Sequence, residues 1–416
     1  MIWLQCLLKK ITDSPAGCDI VLKWLCLSTV FLLEVFMEKV SILSVDNYEL
    51  PALRLALPRL LEPLGGMSAF INRGDRVLIK PNMLSAKEPD KAVTTHPALV
   101  QVVAELIMES GGIALIGDSP GVGSFSRVAD KSGISVAARE SGAALVEFSE
   151  PIDLQGTGTF RSISVARAYY EADKIINLPK LKTHEMMTMT CAVKNLFGAV
   201  IGAGKAAWHL KAGSSRELFA RLLLEIYLLK KPTLNIVDAI IAMEGNGPGS
   251  GDPVKRDLLI AGVNPVAVDV IAGELAGIPT HLLPIGMEAV KMKLTGALRR
   301  DIELCGADIK TIPEIRFKLP TGLNAQFGIP PFLAKTLKNQ LTAYPEADRE
   351  ACVLCGICRD ACPPVAITIK NSALSVDNAR CIRCWCCREL CPHDAMRIRR
   401  GLLLRLLDLI SGAKKA

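Results

Sequence analysis

Aromatic residues make up only 5% of the 416 positions, with four tryptophans and five tyrosines. The basic residues are not interleaved with aromatics, so the stacking platforms that hold single-stranded nucleic acid have nothing to be built from. Past Met37 no apolar stretch approaches the roughly 20 residues that a membrane-spanning helix needs. Two phosphate-binding signatures are missing as well. Gly117-Asp-Ser-Pro-Gly-Val-Gly123 departs from the Gly-x-Gly-x-x-Gly dinucleotide turn. Gly202-Ala-Gly-Lys-Ala206 has neither the glycine spacing nor the Ser or Thr of a nucleoside-triphosphate loop. Nucleic-acid binding and NAD or ATP chemistry are therefore not expected. The net charge of +7 is modest. Much of it gathers near the end, at Arg380, Arg383, Arg388, Arg397, Arg399, Arg400, Arg405, Lys414 and Lys415, as a solvated face or a docking surface for an acidic redox partner.

Cysteine is what the chain does have. Nine of its 14 lie between Cys352 and Cys391, and eight of them fall into one pattern written twice. Cys352-x2-Cys355-x2-Cys358-x3-Cys362-Pro363 is followed by Cys381-x2-Cys384-x2-Cys387-x3-Cys391-Pro392. This is the spacing of bacterial ferredoxins, in which each run gives three thiolates to one 4Fe-4S cluster and its fourth to the other. One cluster would take Cys352, Cys355, Cys358 and Cys391. The other would take Cys381, Cys384, Cys387 and Cys362. Zinc sites or a disulfide framework are the bland alternative, but separated Cys pairs suffice for zinc and explain neither the third Cys nor the proline. Cys386 is a spare thiol beside Cys387, either packing or a substitute ligand. Thiolates at this density fit a reducing, anaerobic cytoplasm. Cys6, Cys18, Cys26, Cys191 and Cys305 show no spacing logic and read as buried thiols.

Residues 1–36 stand apart. Ile20–Met37 is apolar apart from Lys23, Ser28, Thr29 and Glu34, and no small-residue cleavage site follows it. A late start at Met37 is the simpler reading, with a weak membrane anchor as the alternative.

From Lys39 to about Pro313 short aliphatic strands alternate with helical stretches. Strands are expected at Val40–Val45, Arg76–Lys80, Ile113–Gly117, Ala144–Phe148, Lys174–Asn177, Leu234–Val237 and Leu258–Ala261. Helices are expected at Pro51–Leu61, Pro97–Ser110, Phe125–Ser132, Val136–Ser141, Ser215–Lys230 and Val266–Ala276. The alternation implies right-handed βαβ units and a mainly parallel sheet. The expected organisation is an extension (1–36), an α/β domain (37–312), a linker (313–345), a small α+β ferredoxin-like domain (346–400) and a basic amphipathic tail (401–416).

Ligands bind beyond the carboxyl ends of strands in such sheets, and the polar motifs fall there. Lys80, Lys180, Lys182, His184 and Lys194 are expected on one rim with Asp118, Asp238, Glu244 and Asp269. The cations suit a phosphate or carboxylate. The carboxylates with His184 suit a metal ion, though whether a further metal binds here is open. Lys180, Lys182, His184, Lys194, Asp238 and Glu244 are the candidate catalytic residues.

Lys80-Pro-Asn, Thr94-Thr-His-Pro, Gly117-Asp-Ser-Pro-Gly, Asn177-Leu-Pro-Lys-Leu-Lys-Thr-His, Val193-Lys-Asn-Leu-Phe-Gly and Met243-Glu-Gly-Asn-Gly-Pro together resemble the domain of unknown function 362, over about Met37 to Gly277. Cys381-Ile-Arg-Cys-Trp-Cys-Cys-Arg-Glu-Leu-Cys-Pro looks like the ferredoxin appendix often fused to it. The resemblance implies an iron–sulfur protein and no settled reaction. The expected function is electron transfer through two 4Fe-4S clusters, as an oxidoreductase acting on an anionic substrate held by the large domain. The alternative is a non-enzymatic redox or assembly protein that docks a partner enzyme. A redox partner protein is expected in either case, membrane contact is not, and the expected location is the cytoplasm.

Overall fold

The computed structural model describes residues 37–213, 215–306, 312, 316–320 and 343–400. The expected N-terminal extension, most of the expected linker and the basic tail lie outside them.

Twelve strands lie between residues 37 and 306 among the described residues. They are β1 (Glu38–Ser44), β2 (Arg76–Pro81), β3 (Ile113–Ile116), β4 (Ala144–Leu145), β5 (Pro151–Gln155), β6 (Ser162–Ala166), β7 (Lys174–Leu178), β8 (Lys180–His184), β9 (Thr188–Thr190), β10 (Leu234–Glu244), β11 (Asp252–Gly262) and β12 (Ile302–Gly306). All but the β5–β6 hairpin form one sheet ordered β12-β1-β11-β10-β7-β2-β3-β4, with β8 also on β10 and β9 on β8. The run β10-β7-β2-β3-β4 is parallel. β11 is antiparallel to both β10 and β1. The fold is thus α/β with a mostly parallel sheet, as the alternation implied.

The helices used below are α1 (Leu50–Leu61), α2 (Pro97–Glu109), α3 (Ala192–Asn195), α4 (Ala203–Ala212), α5 (Arg216–Leu229) and α6 (Pro265–Leu275). The central strands are apolar on both faces because helices cover both. Val77 and Ile79 of β2 pack with Leu53 and Leu57 of α1 and Leu99 and Val103 of α2. Leu78, between them, packs on the opposite side with Phe219, Leu222 and Leu223 of α5. Beyond β10, Val268, Ile271 and Ala272 of α6 cover Ile42, Val237 and Ile260. Proline opens α2 and α6, where its missing N–H costs nothing, and Asn264 caps α6 through Val266 N at 2.9 Å.

The sheet forks at Pro179. β2 stays paired with β7 as far as Pro81 and Leu178. Pro179 has no amide hydrogen with which to continue that ladder. The chain restarts as β8, which pairs with the far half of β10 instead, Asp238 opposite Lys180 and Met243 opposite Lys182. A gap opens between the end of β2 and β8, at the carboxyl edge of the sheet.

The cysteine-rich part repeats its backbone as well as its sequence. β13 (Ala343–Ala347) pairs with β16 (Met396–Arg400), and β14 (Ile367–Lys370) with β15 (Ala373–Val376). Two single-turn helices, α7 (Ile357–Asp360) and α8 (Cys386–Glu389), occupy equivalent places in the two runs. This part rests on the open edge of the sheet. Arg388 pairs with Glu185, Ser250 bonds Asp394, and Lys87 Nζ donates to the Pro392 carbonyl at 3.4 Å. No helix among the described residues is long and apolar enough to cross a membrane.

Candidate functional site

The gap left by the fork is a cavity of about 620 Å³. Lys182, His184, Thr190, Lys194 and His209 line it from the α/β side, and Cys386, Glu389 and Leu390 from the second cysteine run.

Lys182 is buried and held by two acceptors, Asn82 Oδ1 at 2.8 Å and the Val93 carbonyl at 2.7 Å. Asn82 heads a ladder of amides that crosses the sheet. Asn82 Nδ2 donates to Asn195 at 2.9 Å, Asn195 to Asn177 at 2.8 Å, and Asn177 to Asn235 at 2.9 Å. Asn235 donates in turn to the carbonyls of Gly262 and Val263 at 3.0 and 2.9 Å. Burial and the neighbouring ammonium groups of Lys180 and Lys194 push the Lys182 pKa down to about 7.

His184 Nδ1 accepts from the amides of Met186 and Met187 at 3.0 and 3.1 Å. In the neutral ring the proton must then sit on Nε2. Burial, with Lys194 next, holds the ring well below its ordinary pKa. His184 is therefore a neutral donor of fixed orientation. Its Nε2 lies 3.2 Å from Glu389 Oε1, but the two are misaligned for a hydrogen bond. Burial raises the Glu389 pKa against the pull of Lys194 and Lys182. Lys194 stands over Phe197 and Phe219, 5.1 and 5.6 Å from their ring centroids. His209 stacks on Phe219 at 4.4 Å, and burial pushes its pKa down to about 3.

The other expected rim residues are placed elsewhere. Lys180 and Asp238 form a pair 2.9 Å apart, fully buried, outside the cavity lining. Asp238 also accepts from Tyr48 Oη at 2.5 Å and from the His96 amide at 2.9 Å, and Lys180 donates to Tyr48 at 2.9 Å. Both are engaged in these contacts, which tie the starts of α1 and α2 to β8 and β10. Glu244 ends β10 beside Lys318, 3.1 Å from its ammonium, away from the cavity. Asp269 receives the amides of Ala192 and Val193 at 2.6 and 3.3 Å, and so caps α3. Burial pushes its pKa up to about 7. Lys80 and Asp118 pair at 2.8 Å behind the cavity wall, which Asp118 reaches. Gly198 makes room for this pair, since a Cβ there would lie 2.0 Å from Asp118 Oδ1.

Two lining residues carried no motif in the sequence. Lys205 belongs to the segment that fails as a nucleotide loop. It donates to the Ser119 and Pro120 carbonyls and to Ser119 Oγ, pinning α4 to the Asp-Ser-Pro-Gly turn. Burial pushes its pKa down to about 7. His209 becomes visible only once α4 is folded against Phe197 and Phe219.

The two cysteine runs match at an offset of 29 residues. Leu354, Gly356 and Val365 have positive φ, as do Arg383, Trp385 and Asp394. Left-handed residues between right-handed ones turn successive amides toward one concave side, which suits sulfide and thiolate. Ala366 N donates to Cys362 Sγ and Ala395 N to Cys391 Sγ, each at 3.2 Å. Burial and the nearby thiols of Cys391, Cys352 and Cys355 push the Cys358 pKa up to about 11. Cys387 is raised by burial and then by Cys384, Cys381, Cys358 and Cys362, and Cys362 is raised by burial with Cys384 and Cys381 near it. The fourth Cys of each run thus lies with the first three of the other. Thiols crowded together in this way need a cation to hold them ionised, so the residues fit 4Fe-4S binding. Among the described residues no three His, Cys, Asp or Glu are grouped to hold a single metal ion.

The sheet and the cysteine set define an iron–sulfur protein built on an α/β fold. The chain belongs to the family of the domain of unknown function (DUF362), matched over residues 77–274, and carries a 4Fe-4S binding domain matched over 345–368. It is 36% identical over 310 residues to the thylakoid-associated protein sll1697 of Synechocystis sp. (strain ATCC 27184 / PCC 6803 / Kazusa), covering 73% of this chain and 94% of the relative. Among solved structures, the lactate racemase apoprotein of Thermoanaerobacterium thermosaccharolyticum aligns with a TM-score of 0.40 and 11% identity, over 58% of each chain. A protein from Thermotoga maritima aligns with a TM-score of 0.37 and 15% identity, over 56% of this chain and 59% of its own.

Proposed function

We propose that the chain is an iron–sulfur oxidoreductase that carries two 4Fe-4S clusters and exchanges electrons with an anionic substrate in the shared cavity. The carrying observation is that one cavity has two owners. Cys386 and Glu389, on either side of Cys387, face Lys182, His184 and Lys194 across it. In this reading residues 37–312 hold the substrate and 346–400 hold the clusters, through Cys352, Cys355, Cys358 and Cys391, and through Cys381, Cys384, Cys387 and Cys362. When bound, each cluster supplies or accepts one electron.

The chain's own side chains do the rest. Lys194 and Lys182 draw an anion in and orient it. His184 holds a proton at Nε2 toward the substrate. Lys182, with its pKa near 7, is suited to give or take a proton at neutral pH. Ile357, Ala361 and Leu390 wall the cavity with apolar surface, which strengthens these interactions by excluding water. Cys355 is exposed to solvent at the far run, which leaves a redox partner protein a point of access.

The test is single-turnover reoxidation. Anaerobic, dithionite-reduced protein is mixed with a panel of organic acids and phosphate esters while cluster absorbance is followed. At least one compound should reoxidise it saturably, and Lys182→Met and His184→Gln should slow that step by about tenfold or more with iron content unchanged. Reoxidation by none of the panel, or by all three proteins alike, overturns the reading.

A further inference from the structure

Four residues that line this one cavity each carry a buried polar atom without a hydrogen-bond partner among the described residues: His184 Nε2, Thr190 Oγ1, His209 Nδ1 and Glu389 Oε1. Folded proteins leave few such atoms unmet. Four around one space, beside the Lys194 ammonium, mark it as a place for a polar ligand.

Their placement restricts its chemistry. Lys182 and His184 alternate along β8 and so share a face, and Thr190 lies opposite Lys182 across the β8–β9 pair. Lys182 spends two ammonium hydrogens on Asn82 and Val93 and keeps a third. Lys194 has no hydrogen-bond or ion-pair partner among the described residues, only the two phenyl rings beneath it. His184 offers a donor and nothing else. The site is rich in donors, and the acceptor nearest to them is the chain's own Glu389 carboxylate, 3.2 Å from His184.

We infer that the cavity binds an oxyanion, a carboxylate or a phosphate, that takes the place of the Glu389 carboxylate against His184 Nε2 and pairs with Lys194. This rests on the cavity being the substrate site proposed above, and it adds what the site recognises and what it must displace. Oxygens of the ligand take the hydrogens of His184, Lys194 and Lys182, with the Thr190 hydroxyl completing the set. Glu389 is the resident competitor. Because it repels an incoming anion at close range, removing its charge should help binding, whereas removing a true ligand contact would harm it.

The experiment uses the full chain with its clusters, reduced anaerobically and titrated separately with malonate and inorganic phosphate. Neither probe accepts electrons, so the result is independent of whether any turnover is found. The readouts are the EPR line shape of the reduced clusters and the melting temperature. Saturable change with at least one probe is expected. Malonate alone marks a carboxylate site, phosphate alone a phosphate-ester site, and either supports the inference. Lys194→Gln should weaken binding by about tenfold, and Glu389→Gln should tighten it by a factor on the order of ten. Iron and sulfide are measured for each variant. Should Lys194→Gln lose its clusters, Thr190→Val supplies the same comparison. No response to either probe, unchanged affinity in these weakening variants, or weaker binding in Glu389→Gln overturns the inference.

Discussion

Two lysines on β8, separated only by Leu181, should respond very differently to the same change. Lys180→Met leaves Asp238 buried with its Tyr48 and His96 donors but without its counter-charge. Breaking a buried pair from one side costs about 3–5 kcal/mol. At about 2–4 °C per kcal/mol for a domain of this size, melting should fall by roughly 6–20 °C. Lys182→Met removes donors from Asn82 Oδ1 and the Val93 carbonyl, at about 1–3 kcal/mol each. It also removes an ammonium that the fold depresses to about 7. Burying that charge costs about 4–5 kcal/mol at neutral or lower pH, from the shift at about 1.4 kcal/mol per unit. The folded group binds fewer protons than the unfolded one between pH 7 and 10.5, so the cost is full below 7 and relieved as pH rises. At pH 6.5 the two effects of Lys182→Met should nearly cancel, leaving melting within a few degrees of wild type. Scanning calorimetry on anaerobic protein reads both variants. Lys180→Met with Asp238→Leu should recover much of the loss. The reasoning is refuted if Lys182→Met is the more damaging change, or if Lys180→Met costs less than about 1 kcal/mol.

Asp269 gives a pH signature of its own. Its folded pKa near 7 lies above the ordinary carboxylate value, so the folded state loses stability as pH rises from about 4 to 7 and has paid in full above 7. Asp269→Asn should therefore be tolerated better at pH 8 than at pH 4, as chemical denaturation at the two values will show; equal cost at both refutes the assignment. Crossed ligation predicts that Cys362→Ala removes the same EPR signal as Cys384→Ala and leaves about four of about eight irons per chain. Loss of the signal that Cys355→Ala removes would refute the crossing.

The cysteine runs were legible because their chemistry is local: ligands, turns and proline all lie within a few residues. The aliphatic strands β1, β2, β3 and β7 and helices α1, α2, α5 and α6 were legible from periodicity. β8 was not. Lys-Leu-Lys-Thr-His has no apolar alternation, yet every residue in it is buried. Partners distant in sequence, Asn82, Val93 and Asp238, make that burial tolerable, and no window of sequence holds them. The expected rim residues are divided between two places. Lys182, His184, Lys194 and Asp118 meet at the cavity, whereas Lys180 and Asp238 are consumed in tying helices to the sheet. Glu244 carries a Glu-Gly-Asn-Gly motif, but β10 runs on to meet Lys318, a contact that only the folded chain makes. Lys205 and His209 lie in a segment whose only sequence pattern is an incomplete nucleotide loop.

The amide ladder that begins at Lys182 has a fixed polarity. Asn235 must present its NH2 to two backbone carbonyls, so its oxygen faces Asn177, and each amide after it is forced the same way round. Four side-chain dipoles point head to tail, with their oxygen ends toward the ammonium. They offset the cost of burying it without adding a negative charge that would repel an anion next door. The four asparagines are one unit for substitution: an aspartate at any rung cannot pass the donor on, and a glutamine is too long for the gap.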